Sequence, residues 1–431
     1  MLKTVLSLSF VVASRFFGLF IVLPVLSAYA LSMKGANEFK IGLLVGGYAL
    51  VQMLLQVPFG ILSDKIGRKF SMLIGLIIFI IGSIICALSN DINTLLIGRF
   101  IQGAGAIGAV AIAMISDFTP ENSRSKAMAI MGGMIGMSFG LAMIISPLMA
   151  ANFGLESLFY FPAALSVLAI ILLFSVVPKE NKISKFESNL PFFKLFGQKN
   201  LLIMNFSNLI QKMFLSSIFV AIPIILTQKL GLAKENLWIV YLIAVILGLF
   251  AMGLAGFLGD GKGLSKLLLA LGILIFLSAF LILGFGQNLW IFSFGVVLFF
   301  IGFNLHEPIM QSMASKFAFH SQKGAALGIF NAFGYFGSFL GGVFAGYILG
   351  AFGFLHLCEI YVSICILWFI SIKFLTNPSN FSIYQSDIKC SKDFLKIKGI
   401  YDIFSKNDKC YIKFDKTKIS FEEIKGLLAK F

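Results

Sequence analysis

GILSDKIGRK, residues 60–69, separates two long apolar runs, and its reading decides the fold. Gly60 and Asp64 are four apart and share one helix face, where a glycine lets a neighbouring helix come close. Gly67, Arg68 and Lys69 follow in the turn. A loop that only set topology would need a few basic residues, not this spacing. Each flanking run is long enough for a spanning helix, which takes about 20 mainly apolar residues.

Working outward with that window, charged and turn-rich gaps mark twelve spans. They lie near 7–31, 41–62, 71–88, 94–116, 127–150, 157–177, 201–227, 236–258, 267–285, 289–316, 325–349 and 356–375. The 431 residues are 59% hydrophobic and 12% charged, with a mean hydropathy of +0.96. Soluble domains carry about 25% charged residues, so a soluble enzyme, a nucleic-acid binder and a disordered chain are excluded for the whole protein. The net charge of +15 reflects topology: 27 of 34 Lys and Arg fall on one side, four (Lys34, Lys40, Lys229, Lys234) on the other, and three inside spans. The positive-inside rule makes the basic side cytoplasmic, with both termini there. The first apolar stretch runs past position 30 and reads as a retained span.

The chain also repeats itself. Arg15 matches Lys212, Lys126 matches Lys323, and Phe139-Gly140 matches Phe336-Gly337, all at an offset of 197 residues. LFIVLPVL (19–26) resembles IFVAIPII (218–225), and GILSD (60–64) resembles GFLGD (256–260). This predicts an all-α polytopic membrane protein: a six-helix half at 1–177, a cytoplasmic linker at 178–200, a second half at 201–375 and a small α+β cytoplasmic module at 376–431. Two such repeats with a binding site between them are a recurrent transporter architecture.

The 60–69 loop resembles the signature loop of the major facilitator superfamily. SRFFGLFIVLPVL (14–26), LLIGRFIQGAGA (95–106), ISDFTPENSRSKAMA (115–129) and GGMIGMSFGLAMIISP (132–147) are similar to motifs of its drug:proton antiporter branch. Where that branch has Gly-Pro and further glycines, this chain has Ser146-Pro147 followed by Leu-Met-Ala. GFNLHEPIMQSMASKFAFHSQKGAALG (302–328) resembles the YajR-type transporters, which carry a C-terminal ferredoxin-like domain. The second-half loop, GFLGDGKGLSK (256–266), lacks the closing Gly-Arg-Lys. The resemblance implies a cytoplasmic latch: Asp64 caps the eleventh helix near Lys323-Gly324-Ala325, Arg68 pairs with Asp117, and Gly60, Gly67 and Lys69 complete the loop. It also makes Arg99 a conformational arginine, and Gly136, Gly140 and Pro147 a helix-packing motif.

Charges inside a bilayer cost about 2.5–3.5 kcal/mol at a helix centre and default to functional hypotheses. Here they are Arg15, Arg99, Lys212 and Glu307, with His306 adjacent. Glu307, the only acid well inside a span, is the first choice for carrying a proton, with His306 and Arg99 behind it; a static pairing with Lys212 or Arg15 is its rival. His306 reads more readily as a hydrogen-bonded packing residue. Asn205, Asn208, Gln211 and Lys212 form one face of the seventh span, and Gln52 and Gln56 repeat the pattern on the second. Such stripes either line a cavity or glue helices. Arg15, Gln52, Asn208, Gln211, Lys212, Asn304, Asn331 and Tyr335 are the cavity and substrate candidates.

After Asn377-Pro378 the composition turns polar. FLKIKGIYDIFSK (394–406) and KCYIKFD (409–415) read as strands, and Ser420 with Glu423 has capping-box spacing ahead of a final helix. A module this small has a marginal core and is expected to dimerise or dock on the transporter. The five cysteines show no ligand spacing, so neither a disulfide nor a metal site is expected. The expected function is a proton-coupled secondary transporter exporting small lipophilic or drug-like molecules by alternating access, its partners being the bilayer, protons and substrate. No cofactor, nucleic acid or enzymatic chemistry is expected. The rivals are a proton-coupled metabolite symporter and a membrane-anchored sensor acting through its tail.

Overall fold

The computed structural model describes residues 2–119, 121–178, 197–319, 322–386, 390, 394, 397–406 and 409–428. Of the expected linker, 179–196 lie outside the described residues. Among the described residues, twelve helical segments are long and apolar enough to cross a membrane. The first half contains α1 (Leu2–Phe20), α2 (Leu23–Ala30), α3 (Glu38–Ile66), α4 (Arg68–Ala87), α5 (Ile92–Ala104), α6 (Gly108–Phe118), α7 (Glu121–Phe153) and α8 (Ser157–Ser175). The second contains α9 (Lys199–Ile224), α10 (Leu237–Gly256), α11 (Ser265–Phe285), α12 (Leu289–Phe317), α13 (Lys323–Ala351) and α14 (Phe354–Lys373). The first span is α1 with α2, and the fourth is α5 with α6. Each expected span falls on one of these segments.

Local chemistry sets several helix starts. Asn37, Asp91 and Asn288 accept backbone N–H groups at the starts of α3, α5 and α12, satisfying donors the helix itself cannot. Gly67 ends α3 at φ 98°, a conformation that side chains resist, and turns the chain directly into α4. The second half packs around rings: Phe214, Phe276, Phe280, Tyr361 and Trp368 have centroids 4.8–6.2 Å apart.

The two halves meet closely at the end opposite the 60–69 loop. There α3 and α13 cross backbone to backbone: a Cβ at Gly42 would run into the Gly342 carbonyl, and one at Gly346 into the Glu38 carbonyl. Ser27 Oγ donates to the Phe219 carbonyl (3.0 Å), and the Tyr241 hydroxyl to that of Pro24 (3.1 Å). Toward the basic end the same helices separate. Cβ atoms at Gly60, Gly324 and Gly328 would meet nothing within 4 Å. The α7/α10 pair repeats the pattern: Gly140 faces Val245 at 3.3 Å, whereas Gly136, Gly253 and Gly256 face open space. The cleft between the halves therefore opens at the basic end and is sealed at the other.

The tail folds as a three-stranded antiparallel sheet, order β1-β3-β2, followed by α15 (Phe421–Leu428). The strands are β1 (Phe381–Ser386), β2 (Ile400–Lys406) and β3 (Lys409–Asp415), with Phe381 opposite Asp415 and Ile403 opposite Ile412. The capping box forms: Glu423 accepts from the Ser420 N–H (2.8 Å) and Ser420 Oγ from the Glu423 N–H (3.2 Å). The Ser420 N–H and hydroxyl, both donating to the carboxylate, hold Glu423 below its usual range. Two expectations are corrected. The strand expected over 394–406 forms only over 400–406, and β1 was not expected. A disulfide joins Cys390 to Cys410, contrary to the expectation of none. Their separation in sequence carried no pairing signal; the sheet brings them together by burying Cys410 on the core face of β3 beside Phe394 and Ile412.

Of the two expected outcomes for the tail, the structure shows docking. The Lys413 ammonium donates to the carbonyls of Lys316 and Ala318 at the end of α12, and the Tyr401 hydroxyl to that of Phe317 (2.9 Å). A cation there complements the negative end of the helix dipole. Burial pushes the Lys413 amine down to about 8, aided by Lys323 and opposed by Asp402.

Candidate functional site

At the basic end, the 60–69 loop ties the first half together. Arg68 bonds Asp64 (2.6 Å), Asp117 (3.3 Å) and Ser63 Oγ (2.5 Å). Lys69 Nζ donates to the Val177 carbonyl at the end of α8 (2.5 Å). Three spans are thus held by two basic side chains that are mostly buried. Asp64 is over half exposed and spends its charge on Arg68, so in this state it does not cap α13. Gly60 likewise makes no close helix contact here.

In mid-membrane, α9 and α12 bring Lys212 and Glu307 into an ion pair of 2.8 Å, each side chain about a quarter exposed. The ammonium also lies 4.8 Å from the centre of the Phe303 ring. Exposed pairs contribute up to about 1 kcal/mol, while removing one partner of a buried pair costs about 3–5; this one falls between. Next to it, Phe139 gathers Phe20, Phe219, Phe300 and Phe303 within 5.2–6.4 Å, an aromatic floor drawn from both halves. The Lys212–Glu307 pair lies adjacent to this floor, Phe303 being common to both.

The first half spends its charges differently. Arg15, on α1, is fully buried; its Nη2 donates to Gln52 Oε1 (3.2 Å), and the guanidinium lies near the Phe16 and Phe79 rings. The hydroxyls of Tyr48 and of Tyr335, the latter from the other half, neighbour the same charge. Arg99, also fully buried, donates to the Leu44 carbonyl (3.3 Å) and Gln102 Oε1 (2.8 Å) and sits 4.6 Å from the Tyr48 ring centre. Neither arginine has a carboxylate partner among the described residues.

Several other candidates are packing groups in this state. Asn208 donates to the Phe330 carbonyl (2.7 Å), Gln211 to that of Phe303 (3.0 Å) and Asn304 to that of Phe300 (2.9 Å). Asn208 and Gln211 are buried inside the second half, because a polar stripe on a helix serves neighbouring backbones as readily as a cavity. His306 is fully buried, with Nε2 against the Leu269 carbonyl and its ring against Phe276 and Trp368, so it does not share the surroundings of Glu307. Asn331 and Tyr335 are partly exposed, Gly140 packs on Val245, and Pro147 lies within α7. The aromatic floor carried no signal in the sequence, which has 49 phenylalanines.

Two six-helix halves, a cleft sealed at one end and charged groups at mid-depth define the fold of a membrane transporter. The chain belongs to the major facilitator superfamily, whose model matches residues 8–318 and 201–383. It is 36% identical over 343 residues to the inner membrane transport protein YajR of Escherichia coli, covering 78% of this chain and 75% of that one. It is 28% identical to the quinolone resistance protein NorA of Staphylococcus aureus, over 80% of this chain and 89% of that one. The solved nucleoside transporter NupG shares the fold, with a TM-score of 0.70 at 18% identity over 86% and 98% of the two chains.

Proposed function

We propose that the chain is a proton-coupled secondary transporter that exports small lipophilic or drug-like molecules from the cytoplasm. The observation that carries the coupling is the Lys212–Glu307 pair beside the cleft. A carboxylate that can trade its lysine for a proton has two states, and rocker-type transport needs a group whose charge differs between them. The basic end is cytoplasmic by the positive-inside rule, so the cleft is inward-facing. When that end closes, Asp64 leaves Arg68 in part to meet the start of α13, worth about 0.3–1 kcal/mol for an anion at a helix N-terminus. That magnitude suits a latch that must also release. Likeness to NorA and the aromatic floor support lipophilic substrates.

A second reading, proton-coupled symport of a metabolite, is favoured by one feature. Protonating Glu307 makes the cleft more positive, since it leaves Lys212 uncompensated. The test is purified protein in liposomes with a pH-sensitive dye and a panel of lipophilic cations, sugars and amino acids. Substrate-triggered proton flux in wild type that disappears in Glu307→Gln is the expected result. Flux that survives the substitution removes Glu307 from the proton path.

A further inference from the structure

The first half places two buried guanidinium groups in the membrane interior with no carboxylate partner among the described residues. Arg15 is the one at the boundary between halves: Gln52 of α3 holds one of its nitrogens, while Tyr335 of α13 reaches it from the other side. Its Nε and Nη1 find no hydrogen-bond partner among the described residues. A buried donor left unmatched is costly, and a guanidinium presents a planar fork suited to two oxygens of a carboxylate. Lys212 occupies the equivalent position in the repeat and already shows the complete arrangement, a cation on an aromatic ring with a carboxylate attached.

We propose that Arg15 is a substrate-binding residue, and that the transported molecule bears an organic anion, a carboxylate or equivalent, that docks on it. Partly buried Tyr335 lies beside the guanidinium and turns aside to admit the ligand. The rest of the molecule lies on the floor formed by Phe20, Phe139 and Phe303. This names a substrate class for the second, symport reading above and rests on it for the location of the cleft. It also gives the coupling a sign: protonating Glu307 frees Lys212 as a second cation, so proton and anion favour each other. Few other charges intervene near Glu307. Among the elements packed on α12, α9 supplies Lys212 and, at its far end, Lys199. From α10 comes Tyr241, bonded to Pro24, and from α11 comes Lys266, bonded to backbone at the basic end. Lys323, Tyr335 and Tyr347 lie on α13, and α12 itself adds Lys316 and His306, the latter held by Leu269.

Three probes with one aromatic tail test this: phenylbutyrate, its amide and its amine analogue, titrated onto full-length protein in lipid nanodiscs with thermal stabilisation as the readout. The carboxylate is expected to bind at least about tenfold more tightly than the amide, a difference of about 1.4 kcal/mol. The amine is expected to bind most weakly. Arg15→Gln should erase the preference and Arg15→Lys restore part of it, which a merely structural arginine would not produce. If Arg15→Gln does not fold, Arg15→Lys carries the test, with a weakened but surviving preference for the carboxylate. Glu307→Gln should tighten carboxylate binding at alkaline pH. Preference for the amine, an unchanged preference in Arg15→Gln, or no stabilisation by any probe overturns the proposal. Binding is read without a proton gradient. Anion preference together with absent proton flux would therefore overturn the coupling and leave the Arg15 site standing.

Discussion

The two halves share one frame and one set of repeat-related positions, yet they treat buried charge in opposite ways. In the second half, Lys212 is neutralised by Glu307 at 2.8 Å. In the first, Arg15 and Arg99 rest on amides, carbonyls and ring faces with no acid among the described residues. The loops differ in the reverse sense. The first half ties its basic end with Arg68, Asp64 and Asp117, while the matching stretch of the second lacks the Arg-Lys that would do so. A duplicated scaffold thus divides labour: one half keeps an internal ion pair, and the other keeps buried cations with no acid partner among the described residues, together with the loop clamp.

The strongest way to break this comparison is at the seal both halves build together. Gly342→Val puts a branched side chain against the Gly42 backbone, and overpacking of this kind costs about 1–3 kcal/mol or more. Transport should fall at least about tenfold, and spin-label distances should show the sealed end opened. Next comes the ion pair. Lys212→Met alone should lower the melting temperature in detergent more than Lys212→Met with Glu307→Gln, with a coupling of about 1 kcal/mol for a pair of this exposure. A double-mutant loss equal to the sum of the separate Lys212→Met and Glu307→Gln losses would mean that the pair is not coupled. Third, Arg68→Ala removes one residue from three contacts of the first half. It should cost about 1–2 kcal/mol of detergent stability, and the second half's Lys262→Ala, placed in the matching loop, should cost less. Smallest is Ser420→Ala, which removes the cap of α15 and should cost the tail about 0.5–2 kcal/mol, read by hydrogen exchange over 400–428. The Glu423 side of that box is pH-linked: its lowered carboxyl stabilises the module above the ordinary glutamate range, and the gain is lost as pH falls through its folded value.

Much of this architecture was legible because a bilayer allows few alternatives. Span length, charge asymmetry and the 197-residue offset each report a constraint that acts along the chain. The site was legible where chemistry is rare: one acid inside a span drew attention to Glu307, and Lys212 was named as its rival partner. It was illegible where chemistry is common. The stripe containing Asn208 and Gln211 has the same period whether it faces water or a neighbouring carbonyl, and only packing decides. His306 and Glu307 are adjacent in sequence, but about 100° of helix rotation sends them to different surroundings. In the tail, FSIYQS is too short and polar to announce β1, and Cys390 finds Cys410 only once three strands are stacked.

The glycine crossing of α3 and α13 also sets the mechanics of the cleft. Its contact points, Gly42 and Gly46, lie near one tip of a 29-residue rod, so the crossing acts as a hinge pin with nearly the whole rod as lever. From Gly46 to Gly60 is about 21 Å at 1.5 Å per residue, so a swing of about 10° carries the free tip about 4 Å. With no side chains at the pin, that sweep requires no rotamer to turn over there. Leverage lets a small angular change at one face of the bilayer open a molecule-sized gap at the other.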